Sequence, residues 1–485
     1  MFLGMDVGTS GVKAVLMDET GAIVATGSRA LTLSHRHPLW SEQDPDAWVS
    51  AAIGAVDDLA ASHPREMSQV RGIGLSGQMH GATLLGADGA PLRPAILWND
   101  GRSHAECTEL ERRCPALHAI AGNLAMPGFT APKLMWVAKH EPEVFAKVAK
   151  VLLPKAYVRY RLTGEMVEDM SDAAGTLWLD VGKRTWSDQV LAATGLGIAH
   201  MPRLVEGDEP SAVLSPDLAR RWGMAGQVIV AGGAGDNAAS AIGLGAIVSG
   251  DAFLSLGTSG VLFRVTDKFA PAPESAVHAF CHALGGLWHQ MGVMLSAAAS
   301  LAWLAKILAT PESELLAPLG DVVDRPSPVR FLPYLDGERT PHNDATAAGA
   351  LIGLRSATDR GAIVQAVLEG VAFAARDNLA ALATSGPAIT EVDLVGGGSR
   401  SALWAQIMAD VLGIPVHRVE EGEVGAALGA ARLGRLAATG EKPAEVCSRP
   451  RRLATFVPRP AAVAAYEDAY AQWRKLYPAL KEFFP

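Results

Sequence analysis

Two glycine-rich loops with the same residues lie far apart in the chain. The sequence GTSGV occurs at residues 8–12 and again at 257–261, each time between two apolar runs that predict strands. Glycine lets the backbone approach phosphate oxygens, and the threonine and serine hydroxyls add donors to the amide N–H groups. We interpret both loops as phosphate-binding hairpins, and the alternative is that each is an ordinary turn.

The two copies differ in charge. Asp6 stands two residues before the first loop, whereas Ser255 holds that place before the second, and Lys13 corresponds to Leu262. Only the first copy carries charge at these places. The repeat predicts two related halves of the chain, with chance similarity of five residues as the alternative.

A carboxylate follows another glycine-rich stretch, AGGAGDNAA at residues 231–239. Asp236 and Asn237 stand between these glycines and an alanine-rich run that predicts a helix. A carboxylate at a helix N-terminus stays ionised and can accept a proton or a hydrogen bond from a substrate hydroxyl. The alternative is a helix N-cap, the commonest role of aspartate before a helix. The glycines favour the catalytic interpretation, because they open space beside the carboxylate.

A third group of candidate residues is mainly polar and lies in SGQMHG at 76–81 and WNDGR at 98–102. Apolar runs that predict strands flank both segments. Such a set suits a hydroxyl-rich ligand better than an apolar one, although each residue alone would be a turn or surface residue. The candidates are Met79, His80, Asn99, Asp100 and Arg102.

The segment VGGGSRS at 395–401 is typical of a strand-to-helix turn that packs against a nucleotide. It is also a weak form of a dinucleotide fingerprint, which makes a dehydrogenase the main rival interpretation. That fingerprint needs an acidic residue about 20 positions later at a strand end. Glu420 and Glu421 fall near that position, but within the charged run EEGE.

The elements that position these residues predict an α/β chain. Helices are predicted over 45–62 and 358–382, and a further helix is predicted to begin at PEVFAKVAKVLL, residues 142–153. A strand, turn and strand are predicted over 70–89, and a strand, glycine turn and helix over 391–413. The glycine-rich passage 243–251 predicts a boundary between two domains, residues 1–244 and 245–485.

Composition narrows the class of protein. The chain has 485 residues, a net charge of -9 and four scattered cysteines. The negative charge argues against nucleic acid or an anionic membrane as a partner, because both need a positive field. The apolar run at 291–305 is shorter than the roughly 18–20 residues of a membrane span and predicts a buried helix. The sparse cysteines and an N-terminus unlike a signal peptide predict a cytoplasmic protein.

Taken together, these motifs resemble the FGGY carbohydrate kinases over essentially the whole chain. DVGTSGVK resembles the first phosphate loop of that family, LSLGTSG the second, GGAGDNAA the segment of the catalytic aspartate and VGGGSRS the adenosine segment. GFTAPKLMWVAKH at 128–140 fits the first signature pattern of the family. The second signature, GALIGLRSATDRGAIVQAVLEGVAF, fits less well, because Ala362 stands where a polar residue is usual.

The resemblance implies two related actin-like ATPase domains of the ribonuclease H-like α/β class, flanking a deep cleft. It implies that Asp236 takes the proton of the sugar hydroxyl and that Asp6 holds Mg²⁺ through water. The residues implied around the ATP phosphates are Gly8, Thr9, Ser10, Lys13, Gly257 and Thr258, and those implied near adenosine are Gly397, Gly398 and Ser401. Met79, His80, Asp236 and Asn237 are implied to line the sugar pocket.

Within the family, SGQMHG and WNDGR favour members that phosphorylate the ketopentose D-xylulose in pentose catabolism. The small-molecule partners would then be that sugar and ATP, and a homodimer is one alternative for the assembly. Kinases of ribulose, arabinitol, gluconate or glycerol type remain alternatives. A non-catalytic, chaperone-like ATPase switch is a more distant one, because such a protein has no use for a sugar pocket. The dehydrogenase built on VGGGSRS is the most distant.

Overall fold

The computed structural model describes residues 1–420 and 425–484, which form two seven-stranded mixed sheets. One sheet belongs to the N-terminal half of the chain and the other to the C-terminal half. The strands of the first are Phe2–Val7, Gly11–Met17, Ile23–Ala30, Gly72–Gly77, Pro210–Val213, Ile229–Ala231 and Ala234–Gly235. Those of the second are Ala252–Leu256, Gly260–Thr266, His278–Cys281, Trp288–Met294, Val392–Val395, Val416–Val419 and Arg452–Phe456.

The two sheets share one strand plan. In each, the strands on either side of a GTSGV loop pair in antiparallel fashion, and a third antiparallel strand follows. The first strand of each hairpin also pairs in parallel with a strand much later in that half, Gly72–Gly77 or Val392–Val395. A further parallel strand and an antiparallel edge strand bring the common plan to six strands in each sheet. The seventh strand differs: Ala234–Gly235 pairs in parallel with Gly72–Gly77, whereas His278–Cys281 pairs in antiparallel fashion with Trp288–Met294. This common plan confirms the predicted fold class of two related α/β halves.

The two predicted long helices are present as Pro45–Ser62 and Arg360–Ala383. The first begins after Asp44, whose side chain accepts the backbone N–H of Asp46 at 3.0 Å. Proline at the first helical position and a carboxylate at the N-cap are the start signals of this segment. Other helices are Thr130–His140, Pro154–Thr163, Asp236–Gly243, Ala298–Ile307, Ala402–Leu412 and Pro460–Trp473.

Two predicted elements differ from the structure. The helix expected from residue 142 ends at Phe145, and Lys150–Leu152 is a strand paired with Thr83–Leu85, because the β-branched Val151 is buried in this pairing. The apolar run at 291–305 is not one buried helix, since its first residues complete the strand Trp288–Met294. Among the described residues, no helix is long and apolar enough to cross a membrane.

One helix of the C-terminal half lies on the sheet of the N-terminal half. This crossing helix, Gly425–Thr439, packs on the strands Phe2–Val7 and Gly72–Gly77 and on the helix Asp236–Gly243. A Cβ atom on Gly74 would lie 1.8 Å from the Ala430 carbonyl oxygen, so only glycine permits this approach. The domain division at residues 244 and 245 therefore stays a prediction, because packing across it is extensive.

Candidate active site

A cavity of about 310 Å³ lies between the two halves. It brings together four of the residues predicted for the sugar pocket and part of the second GTSGV loop. From the N-terminal half it is lined by Met79, His80, Trp98, Met126, Phe129, Asp236 and Asn237. From the C-terminal half it is lined by Ser255, Gly257, Thr258, Ser259, His278, Phe280 and Arg339, among others. The volume suits a small polar molecule that contacts both halves at once.

Asp236 is the first residue of the helix Asp236–Gly243, and Gly235 is the N-cap. The Asp236 Oδ1 atom accepts hydrogen bonds from the Asn237 backbone N–H at 2.7 Å and from Asn237 Nδ2 at 3.0 Å. The alternative interpretation of Asp236 as an N-cap is therefore wrong. Burial, and next the charge of Asp6, raise the pKa of Asp236 to about 7. The expectation that the helix N-terminus keeps this carboxylate ionised is therefore wrong, because burial and Asp6 outweigh that effect. A carboxyl group with a pKa near neutrality is suited to take a proton from a hydroxyl.

The backbone before this carboxylate rests on a buried polar network that the sequence did not reveal. The Ser171 hydroxyl accepts the Gly235 N–H at 3.1 Å and donates to Asp169. Lys155 Nζ lies 2.7 Å from both Asp169 Oδ2 and Glu168 Oε1. Because these groups are buried and mutually paired, they hold the start of the helix in one position.

His80 has an unusual backbone with a φ of 68°. Its carbonyl oxygen accepts hydrogen bonds from Lys133 Nζ at 2.9 Å and Thr130 Oγ1 at 3.1 Å, both from the segment GFTAPK. Its Nδ1 lies 2.6 Å from the Gly175 carbonyl oxygen, which can only accept, so Nδ1 carries the proton. Burial, followed by the charge of Lys133, lowers the pKa of His80 to about 3. The ring is therefore neutral, with Nε2 as a hydrogen-bond acceptor.

The polar residues of WNDGR lie outside the cavity, although the sequence predicted them as sugar ligands. Asn99 is exposed, and Asp100 Oδ2 accepts the Ser41 N–H at 2.6 Å. The Arg102 guanidinium lies 2.7 Å from Asp100 and 2.8 Å from Glu42. Arg102 and Asp100 satisfy each other and hold this loop, so the structure gives the three residues no contact with the cavity.

Other lining residues were missed. Trp98 directly precedes the polar residues of WNDGR, and its Nε1 donates to Thr9 Oγ1 at 3.0 Å, so it connects the cavity to the first loop. The position of Trp98 in the same motif could have predicted that it lines the cavity. Phe129 is the second residue of the signature segment 128–140, whereas His278 and Arg339 come from the other half, where no pattern marked them.

The first GTSGV loop is a tight hairpin. The Gly8 N–H donates to the Gly11 carbonyl oxygen at 3.0 Å, and the Thr9 hydroxyl donates to Gln78 Oε1 at 2.9 Å. Ser10 is exposed at the tip. Within residues 1–420 and 425–484, the N–H groups of Thr9 and Ser10 have no backbone acceptor. The loop therefore offers donors to an anion.

Asp6 lies beside this loop, at the end of the strand Phe2–Val7. Its Oδ1 accepts the Ser76 hydroxyl at 3.1 Å, and it pairs in register with Lys13, whose side chain is exposed. Burial raises the pKa of Asp6, while Ser76 and Lys13 oppose that effect. Asp6 and Asp236 are close enough for the charge of one to raise the pKa of the other. Two neighbouring carboxylates of this kind suit a divalent cation, which prefers oxygen ligands.

The second GTSGV loop is held by a helix. The carbonyl oxygens of Gly257 and Thr258 accept the N–H groups of Ala298 at 2.8 Å and Ala297 at 2.9 Å, at the start of the helix Ala298–Ile307. In the part of the chain that the structure describes, the N–H groups of Thr258 and Ser259 have no backbone acceptor. This loop also offers donors to an anion, but no carboxylate.

The predicted adenosine segment is connected to the second loop. A cavity of about 850 Å³ is lined by Gly257, Thr258 and Gly397, and another of about 580 Å³ by Gly397, Gly398 and Ser401. Together they form a path from the cavity at Asp236 to the segment VGGGSRS. The Ser401 hydroxyl also caps the next helix, because it accepts the Trp404 N–H at 3.2 Å.

The dehydrogenase interpretation gains no support. The glycines of VGGGSRS lead into a short 3₁₀ turn, Gly397–Arg400, before the α-helix begins at Ala402, whereas the glycine turn of a dinucleotide fingerprint opens the helix directly. Glu420 is exposed and lies 3.4 Å from Arg451. Glu421 lies outside the described residues.

Two related α/β halves share a cleft that the second GTSGV loop lines directly and that Trp98 connects to the first loop. This arrangement defines a two-domain phosphotransferase with an actin-like fold. Residues 1–243 match the N-terminal domain of the FGGY family of carbohydrate kinases, and residues 252–438 match its C-terminal domain. The chain belongs to the FGGY family of carbohydrate kinases. It is therefore an enzyme, a sugar kinase that uses a sugar and ATP as substrates.

Individual relatives are similar over nearly the whole chain. The chain is 49% identical to the xylulose kinase of Escherichia coli (strain K12), over 99% of either chain. It is 55% identical to the crystal structure of "a xyloylose kinase from Brucella ovis", with a TM-score of 0.97 and 99% of either chain covered. The gluconate kinase of Lactobacillus acidophilus has a TM-score of 0.92 at 25% identity, covering 99% of this chain and 97% of that one.

Proposed function

We propose that this protein transfers the γ-phosphoryl group of ATP to D-xylulose and produces D-xylulose 5-phosphate. The observation that carries the proposal is the Asp236 carboxylate, which faces a sugar-sized cavity shared by both halves. The identities of 49% and 55% to a xylulose kinase and a "xyloylose kinase" support this sugar among the carbohydrates used by the family. The reaction would serve pentose catabolism.

In the proposed mechanism, Asp236 orients the sugar hydroxyl and takes its proton as the oxygen attacks the γ-phosphorus. The bond between that phosphorus and the oxygen that bridges it to the β-phosphate breaks, and ADP leaves. The Asn237 hydrogen bonds fix the Oδ1 atom, which leaves Oδ2 for the substrate. His80 Nε2 accepts a hydrogen bond from another sugar hydroxyl. The N–H groups of the two GTSGV loops stabilise the negative charge that spreads over the phosphoryl oxygens during transfer.

The family uses ATP with a divalent metal, and we propose Mg²⁺ for this chain. Asp6 would hold it through water, because this half-buried carboxylate lies near Asp236 and beside the first GTSGV loop. The cation would neutralise charge on the β- and γ-phosphates. Lys13 on the neighbouring strand adds positive charge on the same side of the loop.

The nucleotide would lie along the path from the second GTSGV loop to VGGGSRS. Gly257 and Thr258 would contact the phosphates, and Gly397, Gly398 and Ser401 would lie near adenosine. This path meets the cavity at the loop, which would bring the γ-phosphate towards Asp236. We also propose a cytoplasmic location, which the four unpaired, buried cysteines support, and keep a homodimer as a proposal for the assembly.

A coupled assay of ADP release tests the proposal. D-Xylulose, D-ribulose, D-arabinitol, D-gluconate and glycerol would be compared at equal concentrations with ATP and Mg²⁺. We expect kcat/KM for D-xylulose to exceed that of every other compound by at least about tenfold, since a site built to bind hydroxyls rejects analogues that mismatch it. Higher kcat/KM for D-gluconate would reassign the substrate, and ATP hydrolysis without any sugar dependence would overturn the kinase mechanism.

A further inference from the structure

Arg339 is a cationic side chain of the C-terminal half that lines the cavity and plays no part in the mechanism above. Its neighbour Thr340 is firmly held: the Thr340 N–H donates to the Val293 carbonyl at 3.1 Å, and its hydroxyl accepts the Val293 N–H at 3.0 Å. The same hydroxyl donates to the Ala276 carbonyl at 3.0 Å. The backbone therefore presents the Arg339 side chain from a fixed position.

The Arg339 guanidinium lacks a partner within residues 1–420 and 425–484, where it forms neither an ion pair nor a side-chain hydrogen bond. Its backbone N–H donates to Glu338 Oε1 at 2.9 Å, and the two side chains form no ion pair. Burial lowers the pKa of Arg339, and the charge of Glu338 opposes that effect only in part. Arg102, by contrast, is paired with two carboxylates. A half-buried cation without an ion-pair or hydrogen-bond partner is costly, so we expect a ligand to supply its acceptor.

The charge of Arg339 acts on two histidines that line the cavity. It lowers the pKa of His80 and of His278, after larger effects of burial. Within the part of the chain that the structure describes, Arg339 and Asp236 line the same cavity without forming an ion pair with each other. A small molecule can therefore lie between the guanidinium and the carboxylate at which phosphoryl transfer is proposed.

The hydrogen-bonding groups of the cavity are of two kinds. Asp236 and the neutral His80 offer acceptors, which suit sugar hydroxyls acting as donors. A guanidinium offers only donors, in a planar fork. The substrate group that matches a donor-only side chain best is one that only accepts, and a ketone carbonyl is such a group. A hydroxyl also accepts from a guanidinium, but its own hydrogen then needs a second acceptor.

We propose that Arg339 binds the carbonyl end of the open-chain ketose and selects ketoses over the polyols of the same carbon skeleton. This proposal rests on the proposed function, since it concerns the sugar of the same site. The reacting hydroxyl lies at the opposite end of the sugar, beside Asp236. Because Arg339 and Asp236 belong to different halves, one ketose bound to both would also hold the cleft closed.

The test compares D-xylulose with xylitol and D-arabinitol, the two polyols obtained by reducing its carbonyl. The Michaelis constant would be measured for the ketose, and inhibition constants against it for the polyols. For Arg339→Gln we expect kcat/KM for D-xylulose to fall about 10- to 100-fold, the scale of losing a hydrogen bond to a charged group. The inhibition constants of the polyols should change less than about threefold.

Two further variants keep the test decisive. Arg339→Lys retains the charge without the fork, so its ketose-to-polyol preference should lie between those of wild type and Arg339→Gln. Arg355→Gln removes an exposed arginine of the same half and should leave all constants unchanged. The ADP affinity measured by calorimetry and the melting temperature show whether each variant is folded. If Arg339→Gln does not fold, the test uses Arg339→Lys.

Equal losses for the ketose and both polyols in the folded Arg339 variants would overturn the carbonyl assignment. So would an unchanged kcat/KM for D-xylulose. A wild-type enzyme that does not phosphorylate D-xylulose would instead refute the proposed function, and this result is read before any variant is made.

Discussion

The two walls of the cleft share a backbone plan but differ in chemistry. Each wall presents a GTSGV loop on an antiparallel hairpin whose first strand pairs in parallel with a later strand. Beside the first loop stands Asp6, and at the matching place beside the second stands Ser255. Asp236 and His80 belong to the N-terminal wall as well. The repeated fold therefore supplies two similar phosphate-binding loops, whereas the carboxylates of Asp6 and Asp236 both belong to one wall.

A buried acidic cluster of the N-terminal half and one buried acid of the C-terminal half differ in their partners. In the N-terminal half, Asp169 and Glu168 are both paired with Lys155, directly behind the start of the helix that carries Asp236. In the C-terminal half, Glu369 receives only neutral donors, including the Ser327 N–H at 3.1 Å. The paired cluster supports the site, while the unpaired acid lies in the core away from it.

Asp236 provides the strongest test of the difference between the two walls. We expect Asp236→Asn to lower turnover by roughly 10² or more, because a positioned base contributes on that scale. ATP and sugar affinities should stay nearly unchanged, which single-turnover kinetics and calorimetry would measure. Ser171→Ala serves as a graded companion, with a smaller loss of turnover, since it removes one support of the backbone before Asp236. Near-normal turnover of the Asn variant would remove Asp236 from the mechanism.

A matched pair of substitutions tests the asymmetry of the loops. Asp6→Asn should raise the Mg²⁺ concentration needed for half-maximal activity by about 10- to 100-fold, as expected when an outer-shell carboxylate is lost. Ser255→Ala, at the equivalent place of the second loop, should change it less than about threefold, since a hydroxyl adds little affinity for the cation. If the magnesium titrations of the two variants coincided, both walls would contribute equally to binding the cation and the proposed asymmetry would be wrong.

His80 tests whether the N-terminal wall binds the sugar while the C-terminal wall binds the nucleotide. Loss of its Nε2 acceptor in His80→Ala should raise the Michaelis constant for the sugar about tenfold, the scale of about 1.4 kcal/mol for one hydrogen bond left unmade in the site. The constant for ATP should hardly move, because the nucleotide path is lined by the other wall. Equal changes in both constants would place His80 outside the pocket.

The smallest effect on catalysis is expected for Glu369→Gln. Burial raises the pKa of Glu369 to about 7, above its unfolded value near 4.5, so the folded state holds a proton that the unfolded state releases. Wild-type stability should therefore fall between about pH 4.5 and pH 7, by about 1–3 kcal/mol relative to the variant. Urea unfolding at pH 5 and pH 8 measures this difference, and turnover should be unchanged. If the free energies of unfolding of wild type and variant changed equally between the two pH values, the raised pKa of Glu369 would be wrong.

Local signals in the sequence predicted the parts of the site that are contiguous. The GTSGV hairpins, the helix Pro45–Ser62 and the place of Asp236 at a helix start follow from glycine positions, capping residues and apolar spacing. The residues WNDGR show the limit: Asp100 and Arg102 read as ligands because they are polar, but neighbouring residues of opposite charge satisfy each other. Trp98, the aromatic neighbour, lines the cavity instead.

Contacts between the halves could not be predicted in this way. Arg339 and His80 are far apart in sequence, and no periodicity connects them. The crossing helix is rich in glycine and alanine, so its composition gives little indication of the surface it covers. Its position depends on glycines in distant strands, such as Gly74, whose missing side chain becomes meaningful only beside Ala430.

The crossing helix has a consequence for biosynthesis. Gly74 and the strand around it leave the ribosome early, but the helix that covers them begins only at Gly425, about 350 residues later. Translation adds roughly 5–20 residues per second, so that face of the sheet stays without its covering helix for about 20–70 s. During this time the nascent chain exposes a surface without its cover, which is the kind of surface that chaperones bind. Truncation shortly before Gly425 would therefore leave the N-terminal half fully synthesised, yet its sheet permanently uncovered.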